Sequence, residues 1–233
     1  MLQCSGICID SICLIGEIVL YESSLERPVN IINSWRRLVF QDAKSTDDYP
    51  NTGSSLKSIS RRLFGNRFIK RLLSHMTRTP PCGSGRQDAF WRTVLGDTCS
   101  GRQRSASKPP RRQWRRCTEA VVEAVVHGVI DENSLDNLDR DLLYALQTAQ
   151  LGRALFLTTQ GYMGLCPSGV EPRDEVWVLY GGRVPFFLRH IKDIPDAASS
   201  VSRNLIGYGF LHGIMYGEAI DNPRFKEYEV FLH

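Results

Sequence analysis

The sequence has little of what marks the commonest small functional scaffolds. Its seven cysteines (positions 4, 8, 13, 82, 99, 117 and 166) contain no CxxC pair, and an odd number without a framework argues against a secreted disulfide scaffold. The triplet Cys4, Cys8 and Cys13 lacks the paired knuckle of a structural zinc site. These thiols read as reduced core or strand-face residues of a cytoplasmic protein, with no metal and no cofactor expected. No window approaches the roughly 18 uninterrupted apolar residues of a transmembrane helix. The opening MLQCSGICIDSICLIGEIVLY is apolar, but Asp10 and Glu17 interrupt it. It also lacks a positive leading region and a small-residue cleavage pattern, so no targeting segment is expected. There is no GxSxG elbow and no P-loop lysine with its hydroxyl. Neither sign of charge dominates, since the net charge is only +4.

What is present is a chain of 233 residues, 42% hydrophobic, which suffices for a sizeable core. Residues 2 to 20 combine β-branched and cysteine side chains with Gly6 and Gly16, and predict one or two strands with a break between them. After Pro28 the period becomes helical: Ile31, Trp35, Leu38 and Val39 recur on one face. Residues 42 to 55 read as a loop. Further helical patterns follow. One is basic and amphipathic, with Phe68, Ile69, Leu72, Leu73 and Met76 opposite Arg67, Lys70 and Arg71; it reads as a packing helix, the alternative being a membrane-surface or acidic-partner helix. "RQDAFWRTVLGD" predicts a helix that buries Phe90, Val94 and Leu95 with Trp91 on its flank. Residues 98 to 116 are polar and proline-containing and read as a flexible basic insertion. Two more helices are expected before Gly152, with His127 in a structural role among valines.

From Arg153 the period shifts to that of strands. "RALFLTT" and "YMGLC" around Gln160 and Gly161 form one hairpin. "EVWVLY" and "RVPFFLRH" form a second, with Gly181 and Gly182 supplying the positive φ angles of a two-residue turn. Pro185 cannot donate to a ladder, so its strand lies at an edge or carries a bulge. "NLIGYGFLHG" and "FKEYEVFL" complete a meander of about six strands, for which a small barrel hides the edges. The fold class is therefore α+β: an N-terminal strand region over 1–20 that can join the barrel, a mainly helical region over 28–152, and a small β-barrel-like module over 153–233.

The chemistry-bearing residues give weak signals. His212 and Glu218 are six apart, with no further histidine or cysteine at ligand spacing, so metal binding is not expected. Gly207, Gly209, Gly213 and Gly217 are better read as bulges and tight turns. Glu218 is expected to accept backbone N–H bonds or to pair with Arg153 or Arg189, while "HGIMYGEA" closes the barrel. Two alternatives stay open. One is an enzyme using Cys166 with His190 or His212. The other is nucleic-acid binding through Arg102, Arg104, Lys108, Arg111, Arg112, Arg115 and Arg116, with Trp114 stacking on a base.

As an ordered string, "GRALFLTTQGYMGLCPSGVEPRDEVWVLYGGRVPFFLRH" followed by "NLIGYGFLHGIMYGEAI" resembles the C-terminal region of fungal heterokaryon incompatibility (HET domain) proteins. "GICIDSICLIGE" and "FWRTVLGD" resemble further segments. The signature positions are Arg153, Gly161, Tyr162, Gly164, Pro167, Gly181, Gly182, Pro185, Arg189, His212, Gly213, Gly217 and Glu218, with Phe156 and Asp174 among those that extend the match. Cys166 departs from a usual glycine and Tyr216 from a frequent aspartate. Nothing here resembles the name-giving HET domain, so the chain reads as the downstream half of such a protein, a truncated product or a fragment. The resemblance implies a non-catalytic regulatory or partner-recognition role in fungal non-self recognition and programmed cell death. Its expected partner is a protein, such as another HET-family member, and nucleic acid is not expected.

Overall fold

The computed structural model describes residues 1–20, 26–40, 85–97, 148–191, 200–220 and 222–233. Most regular structure within them is strand: β1 (Leu2–Ile18), β2 (Arg153–Thr158), β3 (Met163–Pro167), β4 (Glu175–Leu179), β5 (Phe186–His190), β6 (Ser200–Tyr208), β7 (Phe210–Leu211) and β8 (Glu227–Leu232). Two helices accompany them, α1 (Glu26–Phe40) and α2 (Arg86–Val94). Among the described residues strand outweighs helix, and both helices lie within or at the edge of the region 28–152 expected to be mainly helical. The other helices expected from periodicity and the basic run over 102–116 lie outside the described residues.

The N-terminal strand organises the whole sheet. It is a single strand of 17 residues, not two strands with a break. Its first half pairs with β8, from Leu2 opposite Leu232 to Ile7 opposite Glu227. It also pairs with β4 from Gly6 opposite Leu179 to Ser11 opposite Glu175. Those two pairings close a ring of five strands in the order β4, β5, β6, β8, β1 and back to β4, which removes the free edges a flat sheet would present. Register shifts after Cys8 and after Ile12 mark bulges. Beyond them the strand leaves the ring and pairs with β2 instead, and β3 and β7 extend that second sheet. Gly16 is no break either. A Cβ there would lie 2.6 Å from the Trp35 ring, so the missing side chain lets α1 pack flat on the strand, with Trp35 Nε1 donating to the Glu17 carbonyl at 2.9 Å.

Both hairpins form where the turn chemistry places them, β2 to β3 and β4 to β5. The second turn differs in detail. Gly181 takes φ +86, whereas Gly182 is needed for room, because a Cβ on it would meet the Phe186 ring at 2.5 Å. The expected meander is also corrected at its end, since β6 and β8 pair in parallel. A parallel pair needs a long crossover, and residues 209 to 226 supply it. β5 runs between β4 and β6 with an irregularity at Phe187 and Leu188, and Pro185 stands just before it, outside the ladder.

Strand alternation sorts the apolar side chains into three clusters. Trp177 and Leu179 of β4 point into the ring with Leu188, Val201, Val230 and Leu232, and Cys4 and Cys8 pack against them. Val176 faces the other way, into a layer shared with Ile7, Ile9, Phe156, Cys166, Phe187 and Leu211, where Phe156 and Phe187 meet edge to face at 5.2 Å. The outer face of the second sheet, with Leu155, Leu157, Met163, Leu165 and Phe210, is covered by Ile31, Ile32, Trp35 and Val39 of α1 and by Phe90, Trp91 and Val94 of α2. The helical period thus identified the buried face of α1, whereas α2 is buried on every side from Ala89 to Val94, with Trp91 in the core and not on a flank. Full burial of one such aliphatic or phenylalanine side chain contributes about 1.5–3 kcal/mol.

Candidate functional site

Close backbone approach marks the point where β6 leaves the ring and the chain continues as β7 on the second sheet. Gly209 makes that passage possible: a Cβ there would fall 2.2 Å from the Leu165 carbonyl oxygen, and its amide donates to the Pro185 carbonyl at 3.0 Å. Gly164 is equally confined, since a Cβ on it would be 2.2 Å from the Phe210 carbonyl and 2.4 Å from the Phe156 ring. It pairs with Phe156 on one side and Leu211 on the other, so the aromatic ring covers the space its missing side chain leaves.

The charged members of the family string join neighbouring elements of the sheets. Asp174, just before β4, is 3% exposed and receives Arg189 Nε and Nη2, each at 2.8 Å, together with the Glu171 amide at 2.7 Å. Arg189 Nη2 also donates to the Gly169 carbonyl at 2.8 Å. This bidentate clamp ties β5 to the loop between β3 and β4. The hydrogen bonds that Arg189 donates to Asp174 hold its guanidinium protonated above its ordinary range. Arg153 opens β2 opposite Pro167 and lays its guanidinium over the Tyr208 ring, 5.8 Å from the centroid. Gly161 takes φ +94 in the β2–β3 turn. Next to it, Tyr162 is buried, and its amide donates to Thr158 Oγ1 at 3.0 Å.

"HGIMYGEA" is not a closing strand. Residues 212 to 220 form consecutive turns, with Gly213 at φ +84 and Gly217 at φ +91, and the ring is closed by β1 against β4 instead. His212 is buried and its amide donates to the Met163 carbonyl at 2.9 Å. Ile214 and Ala219 enter the layer between the sheets, and Met215 packs beneath the helices. Glu218 accepts the Tyr216 amide at 2.7 Å. Glu218 thus accepts a backbone N–H as expected, whereas Arg189 pairs with Asp174 and Arg153 stacks on Tyr208 in place of a pairing with Glu218.

The cysteine chemistry has little local support. The Cys166 thiol is fully buried and donates to the Ala154 carbonyl at 3.5 Å, and burial pushes it up from its ordinary value to about 12. A nucleophilic cysteine needs the opposite shift. His190, its suggested partner, ends β5 in an exposed position. Among the described residues no group of three metal-ligating side chains is assembled, and no helix is long and apolar enough to cross a membrane.

Three polar arrangements escaped the sequence reading. Asp10 accepts Thr159 Oγ1 at 2.5 Å and the Gln160 amide at 2.6 Å, pinning the β2–β3 turn to β1. Arg203, 3% exposed inside the ring, meets Glu175 at 2.7 and 3.3 Å, and Trp177 Nε1 donates to the same carboxylate at 2.9 Å. Strand alternation from Val201 would have placed Arg203 inward, had the strand start at Ser200 been recognised. The third brings Arg92 Nη1 to Asp97 Oδ1 at 3.1 Å and the Tyr216 hydroxyl to Asp97 Oδ2 at 2.7 Å. It joins "FWRTVLGD" to "HGIMYGEA", two quoted segments whose contact no spacing announces.

Comparison with known proteins agrees with this architecture. The sequence profile of the Het-6 beta-barrel domain matches residues 1–232. Over 77 residues the chain is 30% identical to heterokaryon incompatibility protein 6, OR allele, of Neurospora crassa. That stretch covers 33% of this chain and 11% of the relative, so the chain spans only a small part of that protein's length. No solved structure gives a significant match. A closed five-strand ring in a chain matched from end to end by that profile leads to one conclusion: the protein belongs to the Het-6 β-barrel domain family.

Proposed function

We propose that this chain is a non-catalytic recognition module that binds a protein partner, a HET-family protein in the first instance, in fungal non-self recognition leading to growth arrest or cell death. The observation that carries the reading is the family match along residues 1–232, and the name of the Neurospora crassa relative, heterokaryon incompatibility protein 6, supports it. The use of the signature side chains supports the non-catalytic half. Arg189 and Asp174 bind each other, Glu218 accepts an amide of its own turn, and Cys166 keeps its proton.

The test is co-expression of the tagged 233-residue chain with a HET-domain protein from the same fungus, followed by co-purification. Retention that persists at high salt is the expected result. Loss of retention as salt rises, with a steep linear dependence, would instead indicate a polyanion held by basic residues. No retention from a folded chain would overturn the reading.

A further inference from the structure

The geometry points to a latch: the hydrogen bond from the Tyr216 hydroxyl to Asp97 holds α2 down on the second sheet and sets how often that helix opens. The claim stands independently of the recognition reading.

Asp97 is the first observation. It lies three residues beyond the end of α2 with φ +60, directly after Gly96 at φ +56. One left-handed residue is an ordinary helix ending when glycine supplies it; a second, bearing a side chain, carries a steric cost that aspartate tolerates better than most. Here the side chain is an aspartate only 4% exposed. A buried carboxylate in a disfavoured backbone conformation persists only where its surroundings over-determine it. Those surroundings are Arg92 of the same helix, at 3.1 Å, and Tyr216 of the turn unit, at 2.7 Å. Arg92 is itself held by Asp88 at 3.0 Å. The first contact is internal to the α2 segment; the second crosses to the barrel.

The turn unit is built to present that hydroxyl. Glu218 fixes the Tyr216 amide from one side, Gly217 at φ +91 lets the chain fold back to do so, and Met215 anchors the preceding residue in the apolar layer under the helices. Glu218 is thus a positioning residue for Tyr216. Opening of α2 would uncover Phe90, Val94 and Leu95 together with Met163, Leu165 and Phe210, which share that layer. A helix of nine residues is too short to persist by itself in water, so its docking contacts decide its population.

Hydrogen exchange on the full chain tests this. A hydrogen bond to a charged acceptor is strong enough that its loss shifts a local opening equilibrium roughly tenfold or more. In Tyr216→Phe, amides of residues 89–97 are expected to exchange at least about tenfold faster, while amides of β4 and β5 keep their wild-type rates. Unchanged exchange over 89–97, or equal acceleration in β4 and β5, would overturn the latch. Asp97→Gly separates the latch from relief of strain: it removes the carboxylate and relaxes the backbone together. Faster exchange over 89–97 in this variant supports the latch, and slower exchange overturns it. Glu218→Ala, which removes the acceptor of the Tyr216 amide, gives a further check should Tyr216→Phe not fold, with a smaller acceleration of the same segment expected and none overturning the proposal.

Discussion

Removing one side of the clamp between Arg189 and Asp174 is expected to cost far more than removing the other, and exposure decides which. Asp174 is 3% exposed and Arg189 33%. In Arg189→Met, the carboxylate loses two donors at 2.8 Å and retains the Glu171 amide. Breaking a buried pair in this way costs about 3–5 kcal/mol. Because water reaches one third of the arginine, the lower end applies, about 3 kcal/mol. In Asp174→Asn, the guanidinium keeps the Gly169 carbonyl and its access to water, so the loss is about 1–2 kcal/mol. The double variant leaves no buried charge stranded and is expected to fall at least about 1 kcal/mol short of the sum of the singles. Arg189→Lys retains the charge without the two-pronged geometry and should fall between wild type and Arg189→Met. Urea unfolding followed by tryptophan fluorescence measures all four variants, with Trp177 buried in the ring as reporter. If Asp174→Asn proved as damaging as Arg189→Met, or if the two losses simply added, the reasoning from unequal burial would be refuted.

Other outcomes follow from the same geometry. Gly164→Ala forces a methyl group towards the Phe210 carbonyl, which cannot retreat without breaking the β3–β7 pair; a loss of about 3 kcal/mol is expected, and a melting temperature equal to wild type would contradict it. Asp10→Ala removes the acceptor of Thr159 and Gln160, with a cost of about 2–3 kcal/mol and faster amide exchange in the β2–β3 turn, where a purely global effect would argue against the pin. For Cys166 the folded pKa, about 12, lies above the ordinary 9.0. Its stabilising share is therefore complete below pH 9 and is lost as pH rises towards 12, because the unfolded thiol ionises first. The stability difference between wild type and Cys166→Ala should shrink by about 1.4 kcal/mol from pH 8 to pH 10. A difference independent of pH would mean that the thiol ionises in the folded chain.

Local pattern was a good guide wherever an element's own period carried the information. The face of α1 with Ile31, Trp35 and Val39, the two hairpins and the participation of residues 2 to 20 in the barrel could all be read from spacing and turn residues. Glycines were harder to read. Gly16 and Gly182 are required by a tryptophan and a phenylalanine that lie against them, and a one-dimensional pattern cannot distinguish that from a break or a positive φ. The candidate site divided in the same way. Glu218 and its backbone partner are two residues apart and could be anticipated, whereas Asp174 with Arg189 is closed by strand pairing across 15 residues.

The sequence by itself determined the alternation, the buried face of α1, the hairpin turns and the family string, because each depends on neighbours within a few positions. Tertiary structure alone decided the closure of β1 on β4, the parallel pairing of β6 with β8, the Arg203–Glu175 contact inside the ring, and the meeting of Asp97 with Tyr216 across 119 positions. These pairings are chosen by which layers can bury their apolar faces together, and the polar groups stranded by that burial must then find partners wherever the packing has brought them.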